Sequence, residues 1–125
     1  ISPGWSPGGL YRKCPAWSVR ASPSASYPPD MGTARAEVYK RAGDVELMMY
    51  IFDPPGHEAR RARPAIVFFF GGGWQSGSPA QFRPQAERLA SCGMVAMCAD
   101  YRVASRHRVT AKDCVEDAKS AIRWV

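Results

Sequence analysis

Histidine is scarce in this chain, at two residues, and the four cysteines are scattered. Cys14, Cys92, Cys98 and Cys114 show no C-x-x-C spacing and no paired histidine ligands, so no metal site is expected. Cys98 falls in an apolar run and Cys114 on an apolar helix face, where a thiol acts as a small hydrophobe; free, buried thiols are the expectation. No apolar run is long enough to cross a membrane, and the N-terminus lacks the apolar stretch of a signal peptide. The chain opens at Ile1 and its first methionine is Met31, which reads as a fragment. Both a cytoplasmic and a secreted setting therefore stay open.

A basic helix is also missing. The net charge is +6 and the isoelectric point is near 9.5. Yet the cations sit in separate groups (Arg60, Arg61, Arg63; Arg102, Arg106, Arg108) with no stacking aromatics between them. That pattern reads as solvated surface charge, and no nucleic-acid partner is expected. A length of 125 residues allows one domain or part of a larger one, and 46% hydrophobic residues can supply a core.

Residues 1–35 read as a disordered leader rich in Pro, Ser and Gly, and residues 36–125 as the folded domain. Gly4-Trp5-Ser6-Pro7-Gly8 matches the G-x-S-x-G pattern of a hydrolase nucleophile. A working elbow joins a buried strand to a helix, and here only three residues precede the match, so Ser6 is not read as a nucleophile. Glu37–Arg41 and Val45–Phe52 are strand-like and hinge at Gly43-Asp44, which predicts a β-hairpin with Val45, Leu47, Met49 and Ile51 on one face. Ala65–Phe70 reads as a strand buried on both faces, and Met94–Asp100 as a second.

Between these strands, Ser78 to Gln81 has capping-box spacing with proline at the first helical position. Phe82, Ala86, Leu89 and Ala90 form a stripe, and Gly93 a C-cap. Pro84 conflicts with a helix already under way, so either the regular helix begins near it or the first turn is irregular. Thr110 and Asp113 form another capping box, followed by one face made of Cys114, Val115, Ala118, Ala121, Ile122 and Val125. Hairpin, strand, helix, strand, helix predicts an α/β layered fold with parallel central strands.

The chemistry centres on Gly71-Gly72-Gly73-Trp74, which ends the first buried strand. A phosphate-binding P-loop requires a lysine, and none lies near. Gly71, Gly73 and Gly77 give G-x-G-x-x-x-G, one residue too long for a dinucleotide fingerprint, although Asp100 does end the next strand. A dinucleotide-binding βαβ module and a non-catalytic α/β interaction domain are the alternatives, and the glycines could simply turn the chain. The third chemistry is an oxyanion hole, in which adjacent backbone N–H groups hold the charge of a tetrahedral intermediate.

Phe70-Gly71-Gly72-Gly73-Trp74 resembles the H-G-G-G-W element of hormone-sensitive-lipase-like esterases and carboxylesterases. The resemblance covers residues 36–125, with Asp100-Tyr101-Arg102 and Ala121-Ile122-Arg123-Trp124 in the family's order. It implies an α/β-hydrolase fold, a small-molecule ester substrate with a short acyl group, and no cofactor. It gives Gly72 and Gly73 the oxyanion-hole N–H groups and Gly71 the loop turn; Trp74 lines a substrate pocket or packs over the sheet. The family usually has histidine where Phe70 stands, so Phe70 must hold the loop by packing. The family's serine, acid and histidine would all fall beyond Val125, making this an N-terminal portion without its triad, inactive alone. In the family's strand order Ala65–Phe70 lies between Met94–Asp100 and a strand beyond Val125, so self-association through that edge is expected. His57 and His107 do not fit the triad order; His107 reads as a solvated loop residue. Asp100 reads as a strand-end acceptor and Asp117 as a helix-face residue.

Overall fold

The computed structural model describes residues 27–125; Ser6 and most of the expected leader lie outside them. Strand β1 (Arg35–Ala42) and β2 (Val45–Phe52) form the hairpin, with Ala42 paired to Val45 across Gly43-Asp44. Gly43 takes a φ of +60°, which a two-residue connection of twisted strands demands and which glycine adopts without cost. Next come β3 (Ala65–Phe69), a 3-10 turn (Pro79–Phe82), α1 (Arg83–Ser91) and β4 (Val95–Ala99). A short α2 (Ala104–His107) and a long α3 (Ala111–Trp124) complete the order.

The sheet runs β1-β2-β4-β3. β4 is its centre, antiparallel to β2 and parallel to β3. Side chains alternate across it as the two-residue period requires. Ala96 and Cys98 join Phe52, Ala86 and Ala90 on the α1 face. Met97 and Ala99 join Met49, Ile51 and Ala121 on the α3 face. Leu47, Met49 and Ile51 are at most 3% exposed, so the face predicted for β2 is the buried one. β3 differs from expectation: Ile66 to Phe69 are only half-buried and Ala65 is exposed. An apolar run fixes a strand but not its number of neighbours, and β3 has only β4 beside it among the described residues.

Pro84 is accommodated by a split helix. The four-residue 3-10 turn ends at Phe82, and Pro84 falls in the first turn of α1, where its missing N–H costs nothing. The capping box expected at Ser78 is half made. Ser78 Oγ accepts from the Ala80 N–H at 3.2 Å, but Gln81 turns elsewhere. At the other end of α1, Gly93 donates to the Ala90 carbonyl and Met94 to that of Leu89, with Gly93 at φ +97°, a Schellman closure.

The face expected for α3 needs correction. Cys114, Asp117 and Ala121 are buried, whereas Val115, Ile122 and Val125 are 39%, 57% and 56% exposed. A carboxylate holds the middle of the stripe because two cations reach it. Lys40 Nζ lies 2.7 Å from Asp117 Oδ1, and Arg102 Nε lies 2.8 Å from Oδ2. Burial alone would raise the Asp117 pKa, but these bonds outweigh it and hold the carboxyl below its usual range.

Packing begins ahead of the expected boundary at residue 36, since β1 starts at Arg35 and Met31 is 5% exposed within the α1-side core. Cys98 and Cys114 are free and buried, and burial pushes the Cys98 thiol up to about 12. Cys92 departs from the expected free thiol, being disulfide-bonded. Among the described residues no helix is long and apolar enough to cross a membrane.

Candidate functional site

Phe70 directly follows β3 and is 3% exposed, and the chain then enters the glycine loop. The Phe70 ring stacks on Tyr101, centroids 4.1 Å apart and planes 11° from parallel. The Tyr101 hydroxyl donates to the Phe70 carbonyl, so one residue grips the strand end twice. Phe70 is thus packed, as expected, against Tyr101. Phe82, on the other side, stacks on Phe68 at 5.1 Å.

Beyond Phe70 the backbone leaves the common regions. φ is +147° at Gly72, +60° at Gly73, +66° at Trp74 and +116° at Gly77. A Cβ at Gly72 would lie 1.9 Å from the Ser76 carbonyl oxygen, and one at Gly77 2.4 Å from that of Gly71. Both glycines are therefore required by close backbone approach as well as by φ. Trp74 is the exception, a bulky residue at positive φ, which costs conformational energy that its surroundings must offset. The Gly72 carbonyl accepts from the N–H groups of Gln75 at 3.1 Å and Ser76 at 3.3 Å, so the loop curls on its own oxygen.

The donors sort themselves. The Gly71 N–H is committed to Gln81 Oε1 at 2.7 Å. The N–H groups of Gly72 and Gly73 have no acceptor among the described residues, and both glycines are exposed. Gly71, read as the turn, has no left-handed φ; the turn conformation lies at Gly72, Gly73 and Trp74.

The loop is also fastened to the connection after β4. The Ala104 and Ser105 N–H groups, first in α2, donate to the carbonyls of Trp74 and Gln75 at 2.9 Å each. Helix-start donors that need partners thus find them in the loop. Arg106 donates to the Gly77 carbonyl and lies 4.4 Å over the Tyr27 ring. Arg102 and Arg106, expected as solvated charge, are instead part-buried and partnered. His107 is likewise part-buried, and its Nδ1 accepts from the Val103 N–H at 3.1 Å. Burial, then the neighbouring Arg106, holds its pKa below the ordinary imidazole value.

Asp100 is fully buried and acts as the strand-end acceptor expected of it. It accepts from the Tyr101 N–H at 2.9 Å and from the Tyr27 hydroxyl at 2.9 Å. Burial raises its pKa against the opposing pull of Tyr27 and Arg106. Desolvation and the Asp100 charge push the Tyr27 phenol up to about 12. These groups brace the carboxyl end of β4 behind the loop. Trp74 is 44% exposed and meets Tyr101 edge-on at 6.4 Å.

A groove of about 470 Å³ lies away from the loop, lined by Arg35, Asp53, Glu87 and Ser91 among others. Its charges are already spent, Arg35 on Asp53 at 2.6 Å and Glu87 on Arg83 at 2.7 Å. The groove and the uncommitted donors thus lie in different places. His57 sits 4.0 Å from Asp53 and takes no part in it.

A family model described as BD-FAE matches residues 49–125. Esterase LipC of Mycobacterium tuberculosis is 42% identical over 62 residues, which cover 49% of this chain and 15% of that protein. The native structure of a thermophilic esterase from the Planctomycetes species Thermogutta terrifontis, Est2, is 63% identical. The match covers 80% of this chain and 36% of that one, with a TM-score of 0.78. Its butyrate-bound form is 62% identical over 82% of this chain and 37% of that one, with a TM-score of 0.80. The chain therefore spans well under half the length of these relatives. A loop that runs from Phe70 to Ser78 before any helical turn also departs from a dinucleotide site, where the helix opens on the glycines. The chain belongs to the BD-FAE family, and its sheet and helices are part of the α/β-hydrolase fold of those esterases.

Proposed function

We propose that the protein containing this chain is a serine hydrolase of short-acyl carboxylic esters, with residues 70–78 as its oxyanion loop. The observation that carries this is the pair of adjacent, exposed, uncommitted N–H groups of Gly72 and Gly73 at the carboxyl end of a parallel strand. In acyl transfer the carbonyl oxygen becomes negative as the nucleophile adds, and donors already in place stabilise it without reorganising. Gly71 starts the loop from a fixed peptide, and Trp74 walls the acyl or alcohol pocket. No cofactor or metal enters this chemistry. The acyl size is supported by the relatives: Est2 has been solved with butyrate and with propionate bound. The test is the full-length gene product assayed on p-nitrophenyl acetate, butyrate and palmitate. We expect kcat/KM to be highest for the short chains; no turnover of any of them would sink the reading.

The 125-residue chain on its own should self-associate. β3 is apolar, uncharged and paired on one side only among the described residues, and such an edge is a template for further pairing. Sedimentation should show species larger than a monomer. A clean monomer with a sharp cooperative melt would mean that the edge is protected.

A further inference from the structure

We propose that Gln81 is a positioning residue that sets the orientation of the Gly72 N–H group; this rests on the esterase reading above. A single peptide unit joins Phe70 to Gly71. Its carbonyl accepts from the Tyr101 hydroxyl, and its N–H donates to Gln81 Oε1 at 2.7 Å. A planar peptide gripped at both its oxygen and its nitrogen cannot rotate about the chain axis. The next unit, which carries the Gly72 N–H, takes its direction from that plane. Glycine has no side chain to limit φ and ψ, so without the grip the Gly72 N–H would be free to tilt. The Gly73 N–H is also tied through its own peptide, whose Gly72 carbonyl accepts from Gln75 and Ser76.

Gln81 is itself held on a firm platform. It sits in the 3-10 turn whose Pro79 and Ala80 are buried, and the neighbouring Phe82 ring stacks on Phe68. Its amide also selects the donors. By occupying the Gly71 N–H it leaves the next two as those free to meet a substrate oxygen. The contact lies at the surface, where water competes with it, so its worth to overall stability is small. Its effect is on geometry, and a small misplacement of a catalytic group can cost on the order of 100-fold in rate.

The experiment compares Gln81→Leu, Gln81→Glu and Gly73→Val in the full-length gene product on p-nitrophenyl butyrate. Gln81→Leu keeps the size and removes the acceptor; kcat should fall about 10–100-fold, with KM and Tm close to those of the parent. Gln81→Glu retains an acceptor oxygen at the same reach and should recover most of the loss. An unchanged kcat in Gln81→Leu, with Gly73→Val impaired, would overturn the positioning role and leave the oxyanion reading standing. A Gln81→Leu loss matched by a fall in Tm, with no recovery in Gln81→Glu, would mark a structural role and also overturn it. An unimpaired Gly73→Val would bring down the oxyanion reading itself.

Discussion

Sequencing the parent gene past the Val125 codon should return a G-x-S-x-G within about 10–30 residues, and the 125-residue chain alone should hydrolyse no ester above background. The fold sets this distance. α3 has run from Ala111 to Trp124, already an ordinary length. A loop of ~2–6 residues and a buried strand of ~5–6 residues would follow before a strand-to-helix elbow. The free edge of β3 is where that strand would pair, opposite β4. The chain would reverse its winding there, and the crevice between the two carboxyl ends is where an open α/β sheet takes its ligand. A serine at the elbow would then face Gly72 and Gly73. Without serine or histidine the loss in kcat is on the order of 10⁶. The residual ~10³–10⁴ from binding and the oxyanion hole needs a formed pocket. An open reading frame lacking the motif in that window, or steady turnover by the purified chain, would defeat the proposal.

Substitution within the loop should be nearly as costly, for two different reasons. At Gly72 an added Cβ would stand 1.9 Å from the Ser76 carbonyl oxygen and 2.7 Å from its carbon. Both are backbone atoms that cannot swing aside, so Gly72→Ala must open the curl that closes the loop. At Gly73 a Cβ meets nothing within 4 Å, and the obstacle is the φ of +60° alone. A β-branched residue is a severe outlier there, so Gly73→Val should tilt its donor whereas Gly73→Ala should be milder. In the full-length protein Gly72→Ala and Gly73→Val should each cut kcat by ~10²–10³, or ~2.7–4 kcal/mol of transition-state stabilisation. Gly71→Ala should be the mildest of the set, since its Cβ would rest 3.7 Å from Gln81 Oε1, an ordinary contact. Steady-state kinetics on a short p-nitrophenyl ester decides it; wild-type kcat in Gly73→Val would remove the loop from the mechanism.

What could be read in advance was what short-range chemistry determines. The alternation of Val45, Leu47, Met49 and Ile51 about a glycine turn placed the hairpin, and Thr110 with Asp113 placed the start of α3. The apolar run halted by three glycines placed the candidate loop. What escaped depends on partners distant in sequence. Asp117 is buried because Lys40, 77 residues away, reaches it, and helical periodicity carries no sign of that ion pair. Tyr27 and Asp100 are 73 residues apart. Gln81 was hidden by a competing local signal. Its spacing from Ser78 suits a capping box, but the Gly71 N–H, left without a strand partner, is the better match for its oxygen. His107 looked like one cation-flanked loop residue among several until α2 turned its ring back onto Val103.

Phe70 carries a last consequence, in the conditions under which the loop keeps its shape. An imidazole at the end of β3 would change its protonation between pH 5 and 8, and whatever hung on it would change as well. A benzene ring neither gains a proton nor attracts a counter-ion. The share of the hold that falls to Phe70 and the face of Tyr101 is apolar contact. Mild acid and added salt leave such contact largely intact. Cold does not, because the hydrophobic driving force weakens as water cools. The strand end that launches the glycines is thus sheltered from protons and exposed to temperature.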